Sequence, residues 1–207
     1  VSEDSTTLRP RFGKALVIFV WAICAIVVVS LFAPFHASDV FKTLGLVAFV
    51  AYGVWLLFWS PSVTIAPSGV TVRNIIREHA VSWPAIQRVD TRYALTLYTT
   101  AGKITSWSAP APSRFAAMRT SRVDLTRLPK SSYDTETESI RPGDIPHSSS
   151  GQAALYVRRY WEQLRDAGYL DSGVVEGSGV VTSWLRTEIL IVSGLAILSV
   201  ILLALPF

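Results

Sequence analysis

Three histidines, one cysteine and a scatter of arginines are the side chains in this sequence with chemistry to offer. His36, His79 and His147 are far apart, and no two share a helical turn. A metal centre needs ligands clustered at short spacing, so none is expected here. Cys24 stands inside an apolar run, where a thiol packs as a small hydrophobe, and as the single cysteine it has no disulfide partner within the chain. Neither Gly-x-Ser-x-Gly nor a Gly-rich loop ending in Gly-Lys-Ser/Thr occurs. Haem would want histidines on the apolar segments, which hold none. The expectation is a protein with no catalytic residue, no cofactor and no small-molecule substrate.

The cations invite a different chemistry. Arg73, Arg77, Arg88 and Arg92 precede a run of Arg114, Arg119, Arg122, Arg127 and Lys130, and Arg158 and Arg159 follow. The net charge is only +4 and the excess is thinly spread, so nucleic acid is not an expected partner. Guanidinium groups suit anionic lipid head groups and acidic protein surfaces. Arg114, Arg119, Arg122, Arg158 and Arg159, with Trp59, are the candidate partner or lipid contacts. Thr135 and Thr137, in an acidic stretch, are candidate phosphate acceptors.

What positions these residues is set by three apolar blocks. Half of the 207 residues are hydrophobic and only 16% are charged. The blocks run Ala15–Ala33, Thr43–Ser60 and Ile189–Phe207, each without a charge. At 1.5 Å per residue each spans about 28 Å, close to the thickness of a hydrocarbon core. Three transmembrane helices are therefore expected. The first block is too long for a removable signal peptide, and Ile23 before Cys24 does not suit lipoprotein processing. Arg9, Arg11 and Lys14 flank the first block, Arg73 and Arg77 follow the second, and Arg186 precedes the third; Lys42 alone lies in the first hairpin loop. That asymmetry predicts a cytoplasmic N-terminus and a cytoplasmic 61–188 segment, with the C-terminus on the outer side of the cell membrane.

Between the second and third blocks the period changes to two. "SVTIAPSGVTV" puts Val63, Ile65, Val70 and Val72 on one face around a Pro67-Ser68-Gly69 turn. "EHAVSW" points Ala80 and either Val81 or Trp83 inward, and "RVDTRYALTLYTT" offers Leu95 and Leu97 before an Ala101-Gly102 turn. Five or six short strands with frequent turns predict an antiparallel sandwich or barrel whose open end needs a helix. Ser149 and Gln152 have capping-box spacing, and Ala154, Val157, Trp161 and Leu164 form an apolar stripe. This amphipathic helix either caps the sheet or lies on another protein or the bilayer.

The stretch Pro61 to Arg114 resembles a bacterial pleckstrin-homology-like (PH-like) domain of the membrane-attached actinobacterial group with the low-molecular-weight protein antigen family. The features carrying it are "VTIAPSGVTVRN", "VSWPAIQRVD" and "LTLYTTAGKITSWSAPAP": a hairpin ending in Arg-Asn, a Trp-x-x-Ile strand entry and a Gly turn. The resemblance implies a seven-stranded, strongly bent sheet capped by a C-terminal helix. Its phosphoinositide pocket would need several cations around the first hairpin, yet none occurs between Lys42 and Arg73.

The expected organisation is a tail at 1–14, a two-helix hairpin at 15–60, a PH-like domain at 61–127, a linker at 128–150, the amphipathic helix at 151–168, a linker at 169–188 and a third span at 189–207. Function is expected to be that of an accessory or scaffolding subunit of a membrane assembly, the actinobacterial respiratory bc–oxidase supercomplex being the nominated candidate. The alternative is a membrane-tethered module capturing a peptide or lipid in regulation or envelope biogenesis. Partners are expected to be membrane lipids and membrane protein subunits.

Overall fold

The structure, a computed structural model, describes residues 5–9, 11–31, 37–111, 148–168 and 179–205. In chain order the elements are β1 (Thr6–Leu8), α1 (Arg11–Ser30), α2 (Ala37–Phe58), β2 (Ser62–Ala66), β3 (Gly69–Arg73), β4 (Arg77–Ser82), a 3-10 turn (Trp83–Ala85), β5 (Ile86–Asp90), β6 (Ala94–Thr99), β7 (Gly102–Pro110), α3 (Ser149–Asp166), β8 (Val180–Trp184) and α4 (Arg186–Ala204). They form two compact units: Val1–Arg9 with Ser62–Ser183, and Pro10–Pro61 with Trp184–Phe207.

The helical unit contains α1, α2 and α4, with α2 packed against both others. Each is long and apolar enough to cross a membrane. The helices begin before the apolar blocks, at Arg11, Ala37 and Arg186, because flanking polar residues such as Lys14, Lys42 and Glu188 sustain a helix as well as apolar ones do. Ile18, Phe19, Ile26, Val29, Leu190 and Val200 are exposed, which gives these helices an apolar exterior.

Small residues set the packing within this unit. A Cβ at Gly45 would come within 2.8 Å of Leu202 Cδ1 and 3.7 Å of the Ser199 backbone. The buried Ser199 hydroxyl lies 2.9 Å from the Gly45 carbonyl across that contact and 2.7 Å from Leu195 O on its own helix. A Cβ at Gly194, on α4, would meet nothing within 4 Å, so that glycine marks no such close approach. The Trp21 indole donates to Ala51 O at 3.1 Å, tying α1 to α2.

The second unit is built on two antiparallel sheets. One has the strand order β1-β2-β3-β4-β8 and the other β5-β6-β7. Period-two patterning decides the inner faces. Val63, Val70 and Val72 are fully buried, Ile65 nearly so, and Leu95 and Leu97 fill the second sheet. Ala80 is a correction: it is exposed, while Val81 and Trp83 both face inward, because β4 alternates from Val81 and the 3-10 turn returns Trp83 to the same side. At the β2–β3 turn, a Cβ on Gly69 (φ 152°) would collide with the Val81 carbonyl oxygen, so glycine lets the third strand approach. The Trp83 indole reaches the Ala66 and Pro67 carbonyls of the same turn, each at 3.1 Å.

Helix α3 closes the core. Ala153, Ala154 and Val157 are buried among the strand side chains, and Tyr160 stacks on Trp83 with centroids 4.7 Å apart. Of the placements open to this helix, capping its own sheet is the one observed. The cap residue is Ser148, one position earlier than the spacing suggests: its hydroxyl accepts from Gly151 N at 2.9 Å.

The resemblance implied seven strands; eight occur among the described residues, and two of them come from outside the expected domain. Strand β1 lies in the expected N-terminal tail and β8 in the expected second linker. In β1, Leu8 pairs with Val63 and Thr6 with Ile65. Beside β4, Ser82 exchanges bonds with Gly179, and His79 Nδ1 lies 2.9 Å from Thr182 Oγ1.

Candidate functional site

The registers bring particular strand ends together. Ser62 pairs with Arg73, Arg73 with Glu78, and Leu8 with Val63, so the end of β1, the start of β2, the β3–β4 turn and the start of β4 share one end of the sheet. Partners His79–Thr182 and Ser82–Gly179 run β8 antiparallel to β4, which brings Trp184 to that same end. The Pro67–Ser68 turn marks the opposite end.

The β3–β4 turn is held by Asn74. Its main-chain N–H donates to Arg77 O at 2.8 Å, closing the turn. Its side chain accepts from Trp107 N at 2.8 Å and donates to Thr105 O at 3.0 Å. Those partners sit where the β6–β7 register slips: Ala94 pairs with Pro110 but Thr96 with Thr105. A bulged strand loses ladder partners, and one amide side chain supplies both a donor and an acceptor to replace them. The Arg-Asn that ends the hairpin motif is thereby a link between the two sheets. Around it Ile75 is half-buried, Ile76 is 40% exposed and Trp107 is 54% exposed.

Among the residues singled out in the sequence, Arg158 needs correction. Only 6% of it is exposed, and its guanidinium donates to Val89 O at 3.3 Å. It lies on the covered side of α3, with its long apolar stem suited to burial beside the sheet. Arg159, one residue on, is exposed and available to a partner. Trp59 is half-buried in the helical unit, stacked on Trp21 at 6.4 Å with Lys14 Nζ 5.6 Å from its ring. Arg114, Arg119 and Arg122 lie outside the described residues, as do Thr135, Thr137, His36, His147 and most of the 128–150 linker. Of the six candidates, Trp59, Arg158 and Arg159 are the ones among the described residues.

Other side chains have defined roles. Arg88 lies over the Tyr98 ring at 4.2 Å on the outer side of the second sheet. Asp90 accepts from Thr91 N and Arg92 N, forming the β5–β6 turn. His79 has a pKa lowered from its ordinary value, first by desolvation and then by the Arg77 charge. Among the described residues no three His, Cys, Asp or Glu side chains gather as metal ligands. In the helical unit, Trp21, Ala48, Ala51, Tyr52, Trp55 and Leu195 line an open apolar groove of about 460 Å³.

The sequence reasoning missed Asn74 and β8. For β8 the signal was present: "VVTSW" is rich in β-branched residues, but the glycines before it read as linker. For Asn74 nothing local could have pointed to residues 105 and 107.

Residues 60–135 match the family described as Bacterial PH domain, which covers less than half of the chain. No curated protein and no solved structure matches the chain. Within those bounds, the segment from Ser60 is a bacterial PH domain, joined in this protein to three helices apolar enough to span a membrane.

Proposed function

We propose that this chain is a non-catalytic scaffold subunit of a membrane assembly, its PH domain serving as a tethered binding module on the cytoplasmic side. The observation that carries the reading is the groove in the helical unit. Small Ala48 and Ala51 line it together with the rings of Trp21, Tyr52 and Trp55, an apolar composition that suits a partner's transmembrane helix. The PH domain supports it from the other side: its interior is filled by Leu95, Leu97 and Val157, so partners meet its outer surface. On resemblance alone, the actinobacterial bc–oxidase supercomplex is the assembly nominated.

Purification of the tagged chain in mild detergent should bring down stoichiometric membrane partners, and Ala48→Phe should release them without extracting the chain from the membrane. A chain that runs alone in mild detergent sinks the reading. A second reading, capture of an extended peptide, is favoured by β8: it ends its sheet and four of its five residues are exposed. In that case Thr182→Pro, which removes an N–H on the side of β8 away from β4, should abolish capture.

A further inference from the structure

We propose that the turn Asn74–Ile76, with Trp107 beside it, is a lipid-interface anchor that seats one end of the PH domain among the head groups. This rests on the reading of α1, α2 and α4 as membrane spans. The sheet's strand order is β1-β2-β3-β4-β8, and three of those five strands continue directly into an apolar helix. Leu8 is followed by α1 after Arg9 and Pro10, Ser62 is preceded by α2 through Trp59, Ser60 and Pro61, and Trp184 is followed by α4 after Leu185 alone. All three continuations leave from the same end of the sheet, as the registers require.

The two remaining strands, β3 and β4, are joined at that end by the Asn74–Ile76 turn, one strand spacing from β2 on one side and from β8 on the other. A strand spacing is about 4.8 Å, and the longest connection covers at most about 14 Å of chain. Little chain therefore separates this end of the sheet from the apolar segments. The composition of the turn fits a membrane–water interface. Turn tips in water favour Gly, Asn, Asp and Ser, yet this one carries Ile75 and Ile76, bracketed by Arg73 and Arg77. Trp107, fixed to the turn through Asn74, is the residue type that prefers the membrane–water interface. The turn at the opposite end is Pro67–Ser68, exposed and without a large apolar side chain.

The experiment uses the chain with Cys24→Ala, carrying one new cysteine at Ile76, Trp107, Ser68 or Ile26, labelled with an environment-sensitive fluorophore. The labelled chains are reconstituted in phosphatidylcholine–phosphatidylglycerol vesicles. Probes at 76 and 107 should shift to shorter wavelength and lose intensity to head-group spin-labelled lipid, while the probe at 68 stays water-like. A probe at 76 that matches the one at 68, while the probe at 26 is quenched by acyl-chain spin label, overturns the anchor and leaves the spans standing. An unquenched probe at 26 overturns the spans and the anchor together.

Discussion

The side chain of Asn74 holds the main-chain N–H of Trp107 at 2.8 Å, across a separation of 33 residues and from one sheet to the other. Asn74→Ala removes that acceptor and the donor to Thr105 O together. The expected loss is roughly 1–2 kcal/mol of domain stability, with faster amide exchange at Trp107. Asn74→Asp keeps the acceptor but sets a carboxylate oxygen against Thr105 O, so it should not restore stability. Hydrogen exchange and thermal unfolding in detergent measure both.

Helix α3 is part of the core of the sheet unit rather than a docking arm. Ala154 is 1% exposed, and Ala154→Leu should cost about 1–3 kcal/mol by overpacking. Ser148→Ala removes the hydroxyl that accepts from Gly151 N and should cost about 1 kcal/mol. Were α3 a free arm, neither change would move the unfolding transition of the sheets.

At the α2–α4 contact, Ser199→Ala should weaken packing by about 0.6 kcal/mol, the usual scale for a hydrogen bond between membrane helices. Gly45→Ala displaces only the end of Leu202, so it should be tolerated, whereas Gly45→Leu has to push α2 away from Ser199. Cysteine cross-linking between α2 and α4 reads the order directly: wild type and Gly45→Ala efficient, Gly45→Leu poor.

The β4–β8 pairing should weaken in acid. His79 is less basic in the folded domain than in the unfolded chain, so the unfolded chain takes up its proton first as pH falls. The stabilisation is complete above the ordinary histidine value of about 6.5 and is lost as pH drops through the lower folded value. Exchange protection at Ser82, whose N–H donates to Gly179 O, should therefore fall between neutral and mildly acidic pH, and His79→Gln should remove the dependence. An unchanged pH profile in that variant counts against His79 as the group responsible.

What could be read in advance was whatever repeats along the chain. Three uncharged runs announce three apolar helices, and alternation gives Val63, Ile65, Val70, Val72, Leu95 and Leu97 as core. Lone residues were harder. Ala80 and Val81 are both small and apolar, and only the register with β3 tells which faces in. Arg158 carries a charge that argues for solvent, yet its place on α3 puts it against β5. Strand β1 has only three residues, too few for a period, and gains its structure from a partner more than fifty positions away.

That distant partnership also has a bearing on compartments. Hydrogen-bonded neighbours cannot be parted by a bilayer, so Thr6–Leu8, Ser62–Ala66 and Val180–Trp184 all inhabit one aqueous space. The chain between the first two must therefore traverse any membrane an even number of times, a parity rule independent of counting positive charges. A reporter fused ahead of Thr6 and another inserted at Ser68 ought to answer from the same side.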